Sequence, residues 1–334
     1  MKASDKASIG ATNVQVSRLG LGGTALSGEK PAFNPESVTS FEESENLIRT
    51  ALTLGVAYFD TAPMYGLGES ERRLGAGLRE VDRRRYALST KVGRVLNTSG
   101  GGNDWSFDFS ASGIKSSFTS SLGRLGLESI DIVFIHDPDG DILFSDGSAN
   151  YFAEAVSEAL PALQELKEAG RVGAIGVGMN QWEMELEFAK TGEFDCFLLA
   201  GRYTLLDQSA LRLFLPYCSA HGISVIAGGP FNSGILAADS FEDAPFNYST
   251  AAEPIVKRAA AIRHICQEHN VPLKAVALQF ILAHPAIASV IPGARSASEL
   301  DENAAMLDVE IPPDLWERLK EAELIDLAAP VPTG

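Results

Sequence analysis

Four side chains that can carry charge or exchange protons lie in three segments of the sequence. Asp60 and Tyr65 occur in YFDTAPMYGLGES, Lys91 occurs in LSTKVG, and His136 occurs in FIHDPD. A lysine ammonium beside a tyrosine phenol favours the phenolate, and a carboxylate keeps that lysine charged and oriented. A histidine can donate a hydrogen bond to a substrate oxygen while hydride moves at the neighbouring carbon. Together these residues predict proton-coupled hydride transfer with a nicotinamide cofactor, in either direction.

Each of the four residues also has a structural explanation when taken alone. Asp60 suits a helix cap, and Tyr65 suits packing. Lys91 suits an ion pair, and His136 suits a core histidine with satisfied hydrogen bonds. The catalytic interpretation is favoured because the four residues belong to three consecutive predicted strands, and each lies at or just after the C-terminal end of its strand.

The elements that would position these residues are eight short apolar runs, each followed by a turn and a helical pattern. Their apolar residues are continuous, as in parallel strands covered on both faces. The runs span 18–25, 55–62, 86–93, 130–137, 172–179, 194–201, 223–230 and 287–294. They predict a (β/α)8 TIM barrel in one domain over 1–334, with an open doubly wound sheet as the alternative. Asp60, Lys91 and His136 then lie at the C-terminal face, where barrel enzymes place their active sites.

Three segments fall outside the repeat. SIGATNVQVSRLG, before the first barrel strand, predicts a short N-terminal hairpin that covers the barrel floor. The segments 96–110 and 138–152 are rich in Gly, Ser and Asp and contain aromatic residues. Since both follow strand ends, we expect them to rise over the C-terminal face as substrate loops.

Composition excludes several classes of function. The net charge is −17 and no basic cluster occurs, which argues against a nucleic-acid partner. The first residues lack an apolar signal core and no stretch approaches a membrane span, so we expect a cytoplasmic protein. Cys196, Cys218 and Cys266 are widely spaced in apolar surroundings, which predicts buried thiols and neither a disulfide framework nor a metal site. The oligomeric state stays open.

The sequence resembles the aldo-keto reductase family over essentially its whole length. The motifs are YFDTAPMYGLGESERRLGAGL, LSTKVG, IDIVFIHD, AIGVGMNQ, YTLLDQ and VIPGARSASELDENAAML, in matching order and spacing. The resemblance implies NAD or NADP bound over the C-terminal face of the barrel. It also implies Tyr65 as the general acid–base, Lys91 as its tuning partner, Asp60 paired with Lys91, and His136 orienting the substrate oxygen.

The same resemblance implies a set of cofactor-binding residues. Asn180 would hold the nicotinamide carboxamide, although it also suits an N-cap of the following helix. Gly23 and Thr24 would lie under the nicotinamide ribose. The stretch GGPFNSGIL, 228–236, matches the pyrophosphate loop and offers backbone N–H groups. The residues assigned there are Gly229, Phe231, Asn232, Ser233 and Gly234, and those assigned to the adenosine end are Arg295, Glu299, Glu302 and Asn303.

Three positions depart from the family pattern. Many members place a tyrosine against the nicotinamide where this chain has Gly228. Arg202 replaces a glutamine, so it is a candidate for nicotinamide or substrate contact, or for an ion pair on the rim. Glu299 stands where many members bind the 2′-phosphate of NADP with an arginine. A carboxylate would repel that phosphate, so NAD is expected over NADP, although Arg295 could restore NADP binding.

The motifs HDPD, GVGMNQ, LLAGRYTLLDQ and GGPFNSGIL resemble a branch of the family that oxidises cyclic hemiacetals to lactones. The resemblance implies an aldose of the L-fucose, D-arabinose or L-galactose type as substrate, with pyridoxal as the alternative. Asp137 and Arg202 are candidate contacts for a sugar, together with Asp104, Asp139 and Asn232. Trp105 is a candidate wall for pyridoxal, together with Phe107, Phe109, Phe144 and Tyr151.

Two other classes of function are compatible with the residues. A non-catalytic subunit could bind the nicotinamide cofactor and report redox state to a partner. A lyase or isomerase could form a Schiff base at Lys91, but Asp60 and Tyr65 would then be unexplained.

Overall fold

The computed structural model of the chain describes residues 1–28, 39–97, 104–141 and 148–333. Its strands, in chain order, are β1 (Lys6–Ser8), β2 (Gln15–Ser17), β3 (Leu21–Gly22), β4 (Tyr58–Asp60), β5 (Ala87–Val92), β6 (Arg94–Leu96), β7 (Trp105–Phe107), β8 (Ile130–His136), β9 (Val172–Met179), β10 (Cys196–Ala200), β11 (Ser224–Gly228), β12 (Pro245–Phe246), β13 (Ser249–Thr250) and β14 (Ile287–Ile291). Its α-helices are α1 (Phe41–Thr53), α2 (Glu69–Leu78), α3 (Ala111–Leu125), α4 (Phe152–Glu154), α5 (Leu160–Glu168), α6 (Trp182–Lys190), α7 (Phe214–His221), α8 (Glu253–Glu268), α9 (Leu273–Leu282), α10 (Ala297–Ala305) and α11 (Pro313–Glu321).

Eight of these strands form one parallel sheet, in the spatial order β3, β4, β5, β8, β9, β10, β11, β14. Its two ends are joined, because the Gly20 N–H donates to the Val290 oxygen and the Val290 N–H donates to the Arg18 oxygen, both at 2.9 Å. The sheet therefore closes on itself. The predicted (β/α)8 TIM barrel is confirmed, and each of the eight apolar runs contains one barrel strand.

Burial on both faces explains why the runs are continuously apolar. All six residues of β5 are buried, as are most residues of β8 and β9. Inward-facing side chains such as Tyr58, Phe134 and Leu198 fill the barrel interior. A larger apolar cluster lies between the strands and the surrounding helices. A wall packed on both sides holds side chains at the strand ends in fixed positions.

The N-terminal hairpin of the predicted fold is confirmed. Strands β1 and β2 pair in antiparallel fashion, and Ile9 and Val16 are buried against the barrel interior. The Gly10 N–H donates to Oγ of Ser224, the first residue of β11, at 2.8 Å. The hairpin thus covers the N-terminal end of the barrel and leaves the opposite end for the loops.

Short hairpins stand at the C-terminal end. Strand β6 pairs with β7 directly after β5, and β12 pairs with β13 between β11 and α8.

Among the helices of the described residues, none is long and apolar enough to cross a membrane. Cys196, Cys218 and Cys266 are buried free thiols.

Candidate active site

Three neighbouring strands deliver Asp60, Lys91 and His136 to one end of the barrel. Asp60 and His136 are the last residues of β4 and β8, and Lys91 is the penultimate residue of β5. The parallel register pairs Asp60 with Ser89 and Lys91 with Phe134. Because parallel strands end at the same edge, the side chains predicted from separate segments lie together.

A tight turn between β4 and α2 positions Tyr65. Its N–H donates to the Ala62 oxygen at 3.1 Å, and its own oxygen accepts from the Ser70 N–H at 3.2 Å. Gly66 follows in a left-handed conformation, with φ of 61°, and a Cβ atom there would collide with the Ser27 oxygen. Only glycine fits this close approach, so the glycine-rich turn directs the Tyr65 phenol into the barrel mouth.

The Lys91 ammonium connects the acid to the phenol. It donates to Asp60 Oδ2 at 2.7 Å, to the Thr61 oxygen at 2.9 Å and to the Tyr65 phenol oxygen at 3.3 Å. Ser89 donates to the other Asp60 oxygen at 2.6 Å. Both charged side chains are buried. These bonds compensate the cost of burying the ion pair and fix its orientation.

Burial and charge act in opposite directions on the pKa values of Tyr65 and Lys91. Burial raises the pKa of the Tyr65 phenol, the Lys91 ammonium lowers it in part, and the net pKa is raised. The sequence predicts only that Lys91 lowers the pKa of Tyr65, because the depth of burial of the phenol is not visible in the sequence. Burial would lower the pKa of Lys91, but Asp60 and Tyr65 outweigh burial and the net pKa is raised. Lys91 is therefore an ammonium, which disfavours a Schiff-base role.

His136 is a neutral imidazole at the edge of the same group. Burial lowers its pKa well below the usual range, and the positive charges of Arg94 and Lys91 lower it further. Its Nε2 lies 3.3 Å from Asp137 Oδ2, and its ring is 6.3 Å from the Tyr65 ring. A neutral histidine can donate one hydrogen bond into the site without adding charge.

Asp137 is the candidate substrate residue that lies closest to this chemistry. Its backbone is left-handed, with φ of 47°, and its carboxylate also contacts Arg94 at 3.1 Å. Burial raises the pKa of Asp137 to about 7, against the lowering effect of Arg94. A carboxyl group at this position can accept or donate a hydrogen bond near neutral pH.

The sequence reasoning missed Arg94. This guanidinium is buried, binds Asp137 and Asp141, and lies 4.6 Å from the Trp105 ring and 5.3 Å from the Phe107 ring. It therefore ties the β6–β7 hairpin to the segment after β8. The sequence signal that could have indicated such a cation is the run HDPDGD, in which every second residue after His136 is an aspartate. Closely spaced carboxylates that become buried are stabilised by a nearby positive charge.

Two other candidate substrate residues, Arg202 and Trp105, have structural partners. Arg202 donates to the Asn180 backbone oxygen at 3.0 Å and contacts Asp207 at 3.3 Å, so it forms the predicted rim ion pair and supports Asn180. Trp105 packs edge-on against Phe107 at 5.2 Å and lies over Arg94. Phe144 lies outside the described residues.

Asn180 does not cap the helix that follows it, because α6 begins after Gln181 without a side-chain cap. The Asn180 amide instead donates to the Ala200 oxygen at 2.9 Å. This bond spans the ends of β9 and β10 and holds the amide at the barrel mouth. Gly23 directly follows β3, where a Cβ atom would be 2.6 Å from the Asp60 oxygen, and Thr24 comes next.

The loop after β11, which is predicted to bind the pyrophosphate, has an unusual backbone conformation. Asn232, Ser233 and Gly234 are all left-handed, which bends the backbone into a concave turn of the anion-binding kind. Cβ atoms at Gly229 and Gly234 would meet nothing closer than 3.7 Å, so the turn is open to a ligand. Asn232 is buried, and its Oδ1 has no hydrogen-bond partner among the described residues. Phe231 immediately precedes this turn.

The residues predicted for the adenosine end cluster at α10. Arg295 and Glu299 pair with each other, with Nη2 and Oε1 at 3.0 Å. Glu302 pairs with Lys274 at 2.8 Å, and Asn303 is buried. In this arrangement Glu299 partly neutralises the arginine that would otherwise attract a phosphate.

The chain is similar to known proteins over most of its length. The family model described as Aldo/keto reductase family matches residues 18–324. Pyridoxal 4-dehydrogenase of Microbacterium luteolum is 35% identical and the match covers 97% of this chain and 99% of that protein. D-threo-aldose 1-dehydrogenase of Pseudomonas sp. is 36% identical, over 86% and 89%, and L-galactose dehydrogenase of Arabidopsis thaliana is 34% identical, over 95% and 92%.

A solved structure shares the fold over nearly the whole chain. The aldo-keto reductase AKR11C1 from Bacillus halodurans, in its holo form, superposes with a TM-score of 0.77 at 26% identity, covering 98% of each chain. The family match covers most of the sequence, and the relatives above exceed 30% identity. This chain belongs to the aldo/keto reductase family of oxidoreductases.

Proposed function

We propose that this chain is an NAD(P)-dependent dehydrogenase that oxidises the cyclic hemiacetal of an aldose to its lactone. The substrate would be a sugar of the L-fucose, D-arabinose or L-galactose type. The observation that carries the proposal is the buried contact between the Lys91 ammonium and the Tyr65 phenol, beside a neutral histidine. Two of the relatives are named for dehydrogenation of an aldose or of L-galactose, which supports the substrate class.

In this proposal Tyr65 is the base. Its phenolate, stabilised by Lys91, takes the proton of the anomeric hydroxyl group, and His136 donates a hydrogen bond that orients a substrate oxygen. When bound, the nicotinamide supplies the acceptor for the hydride of the anomeric carbon. Because the pKa of Tyr65 is raised, oxidation should accelerate as the pH becomes alkaline.

The cofactor would extend from Asn180 across the loop after β11 to α10. Gly229 and Gly234 leave room for a pyrophosphate bound by backbone N–H groups. The buried Oδ1 atom of Asn232 is a hydrogen-bond acceptor for a donor group of the cofactor. NAD is the preferred cofactor because Glu299 holds Arg295 and adds negative charge where a 2′-phosphate would lie.

The side chains near Tyr65 favour a sugar over pyridoxal. Asp137 provides a buried, ionisable carboxyl group that can bind hydroxyl groups. The aromatic residues that would suit pyridoxal pack on one another, since Phe107 and Phe109 stack at 5.8 Å and Tyr151 lies about 5 Å from both. These rings pack against one another and hold the loops together, so their faces are not open to a substrate.

Pyridoxal remains the second candidate, since the relative named for it matches 97% of this chain. The test is to supply NAD or NADP with L-fucose, D-arabinose, L-galactose or pyridoxal and follow the absorbance of the reduced cofactor. Turnover of a sugar supports the proposal, and turnover of pyridoxal alone supports the second candidate. Tight cofactor binding without any turnover would instead indicate a non-catalytic nicotinamide-binding subunit.

A further inference from the structure

The β12–β13 hairpin carries a tyrosine at its tip. Phe246 pairs with Ser249, so the two turn residues are Asn247 and Tyr248, with φ of 48° and 64°. Two-residue turns of this kind favour glycine at the second position, and a bulky side chain there is unfavourable in the left-handed conformation. A tyrosine held in this conformation suggests that its side chain has a function that outweighs the backbone cost.

The contacts of Tyr248 direct its phenol group into the barrel mouth. Its N–H donates to Ser233 Oγ at 3.0 Å, which fixes the turn on the loop after β11. The phenol is hydrogen-bonded to the Asn180 side chain. The pKa of the Tyr248 phenol is raised to about 12, mainly by burial and in part by the proximity of Tyr65 and Asp137.

Tyr248 as a whole is 42% exposed, so part of the residue meets solvent. Its hydrogen bond with Asn180 nevertheless holds the phenol hydroxyl group at the barrel mouth. The residue forms part of the wall between solvent and the catalytic group.

Tyr248 approaches the site from the side opposite to Arg94 and Trp105. In the closed ring of eight strands, β11 stands four places from β5. The hairpin with Tyr248 follows β11, whereas Arg94 and Trp105 follow β5. A ligand held at Tyr65 would therefore lie between these two groups.

We propose that Tyr248 is a specificity-determining residue whose phenol hydroxyl group binds a hydroxyl group of the substrate beside Tyr65, and whose ring limits substrate size. A phenol can both donate and accept a hydrogen bond, which suits a polyhydroxylated ligand. This inference rests on the proposed function, because it takes the substrate to be a small polar molecule. It adds to the candidate substrate contacts a residue of the β12–β13 hairpin, which the sequence analysis did not single out.

The test compares Tyr248→Phe with Ser249→Ala, a control at the next position, whose hydroxyl group donates to the Phe246 oxygen within the hairpin at 3.3 Å. With a substrate that the wild-type protein oxidises, Tyr248→Phe should lower kcat/KM about fivefold to tenfold, mainly through KM. The dissociation constant of NAD should stay within about twofold, and Ser249→Ala should behave as wild type. Unchanged kcat/KM in Tyr248→Phe, or an equal loss of NAD affinity, would overturn the inference.

Tyr248→Ala tests the limit on size. It should raise the ratio of kcat/KM for a reducing disaccharide to that for the monosaccharide by about tenfold, because the ring no longer closes the site. An unchanged ratio would contradict the steric role. Failure of the proposed function would appear in the wild-type protein, whereas failure of this inference appears only in the comparison with the Tyr248 variants.

Discussion

The ammonium of Lys91 lies 3.3 Å from the phenol oxygen of Tyr65, and both side chains are buried. The ammonium is held by Asp60 at the end of the neighbouring strand, so the barrel itself fixes the charge that faces the phenol. Burial opposes loss of the phenol proton, and the ammonium favours it. The proposed chemistry depends on this balance.

Tyr65→Phe should abolish turnover while leaving cofactor binding intact. The phenol is the proposed base, so its loss should lower kcat by a factor on the order of 10²–10⁴. Fluorescence titration should give an NAD dissociation constant within about twofold of wild type, because the cofactor loop lies after β11. Tyr217→Phe is the matched control, since Tyr217 stacks on His221 in α7. More than a tenth of wild-type turnover in Tyr65→Phe would remove Tyr65 from its role.

Asp60→Asn should destabilise the fold as well as the chemistry. It leaves the buried Lys91 ammonium without its carboxylate, which should lower the free energy of unfolding by about 3–5 kcal/mol. Denaturant titration measures this loss. The control is Glu165→Gln, which breaks the exposed pair with Lys115 and should cost at most about 1 kcal/mol. Similar losses in the two variants would contradict the proposed energetic role of the buried pair.

Asp137→Asn should stabilise the chain in a pH-dependent manner. The pKa of Asp137 is raised from its ordinary value of 3.8 to about 7 in the fold, so the folded chain holds this proton more tightly than the unfolded chain. Stability from this group is present at low pH and is lost as the pH rises from about 4 to about 7. Asparagine cannot ionise, and Arg94 keeps Asp141 as a partner.

The melting temperature of Asp137→Asn should therefore exceed that of wild type most strongly at about pH 8, and the difference should shrink towards about pH 4. Asp104→Asn, at an exposed position, is the control for the removal of a carboxyl group. A difference that grows on acidification would contradict the raised pKa of Asp137.

Glu299→Gln should shift cofactor preference towards NADP. The change removes a negative charge and releases Arg295 from its ion pair, so the 2′-phosphate should bind more favourably. We expect the ratio of the NADP to the NAD dissociation constant to fall about tenfold by fluorescence titration. Asp301→Asn, an exposed position in the same helix, controls for net charge. An unchanged ratio would indicate that α10 does not set the preference.

Much of the barrel could be predicted from sequence because burial on both faces leaves a local signature. The run 172–179 coincides with β9, and the strand-end positions of Asp60 and His136 follow once the strands are known. Side chains at the ends of adjacent parallel strands lie close together, whatever separates the strands in sequence, and β4, β5 and β8 are adjacent. The grouping of the four residues was therefore within reach of sequence reasoning.

Other features depend on contacts between distant loops and have no local signature. Arg94 joins Trp105 to Asp137, which only the packed loops bring together. The depth of burial at Tyr65 reverses the net direction of its pKa shift relative to the effect of Lys91 alone. The position of Tyr248 depends on the register of a hairpin with two-residue strands, which is too short to give a periodic pattern.

Hydride transfer from the anomeric carbon is the central claim, and an isotope label tests it most directly. The chain is incubated with NAD and the sugar that it oxidises, carrying deuterium at the anomeric carbon, and the products are examined by mass spectrometry. The account predicts deuterium in the reduced nicotinamide and a lactone as the sugar product. Deuterium released to water, or reduced cofactor without the label, would contradict it.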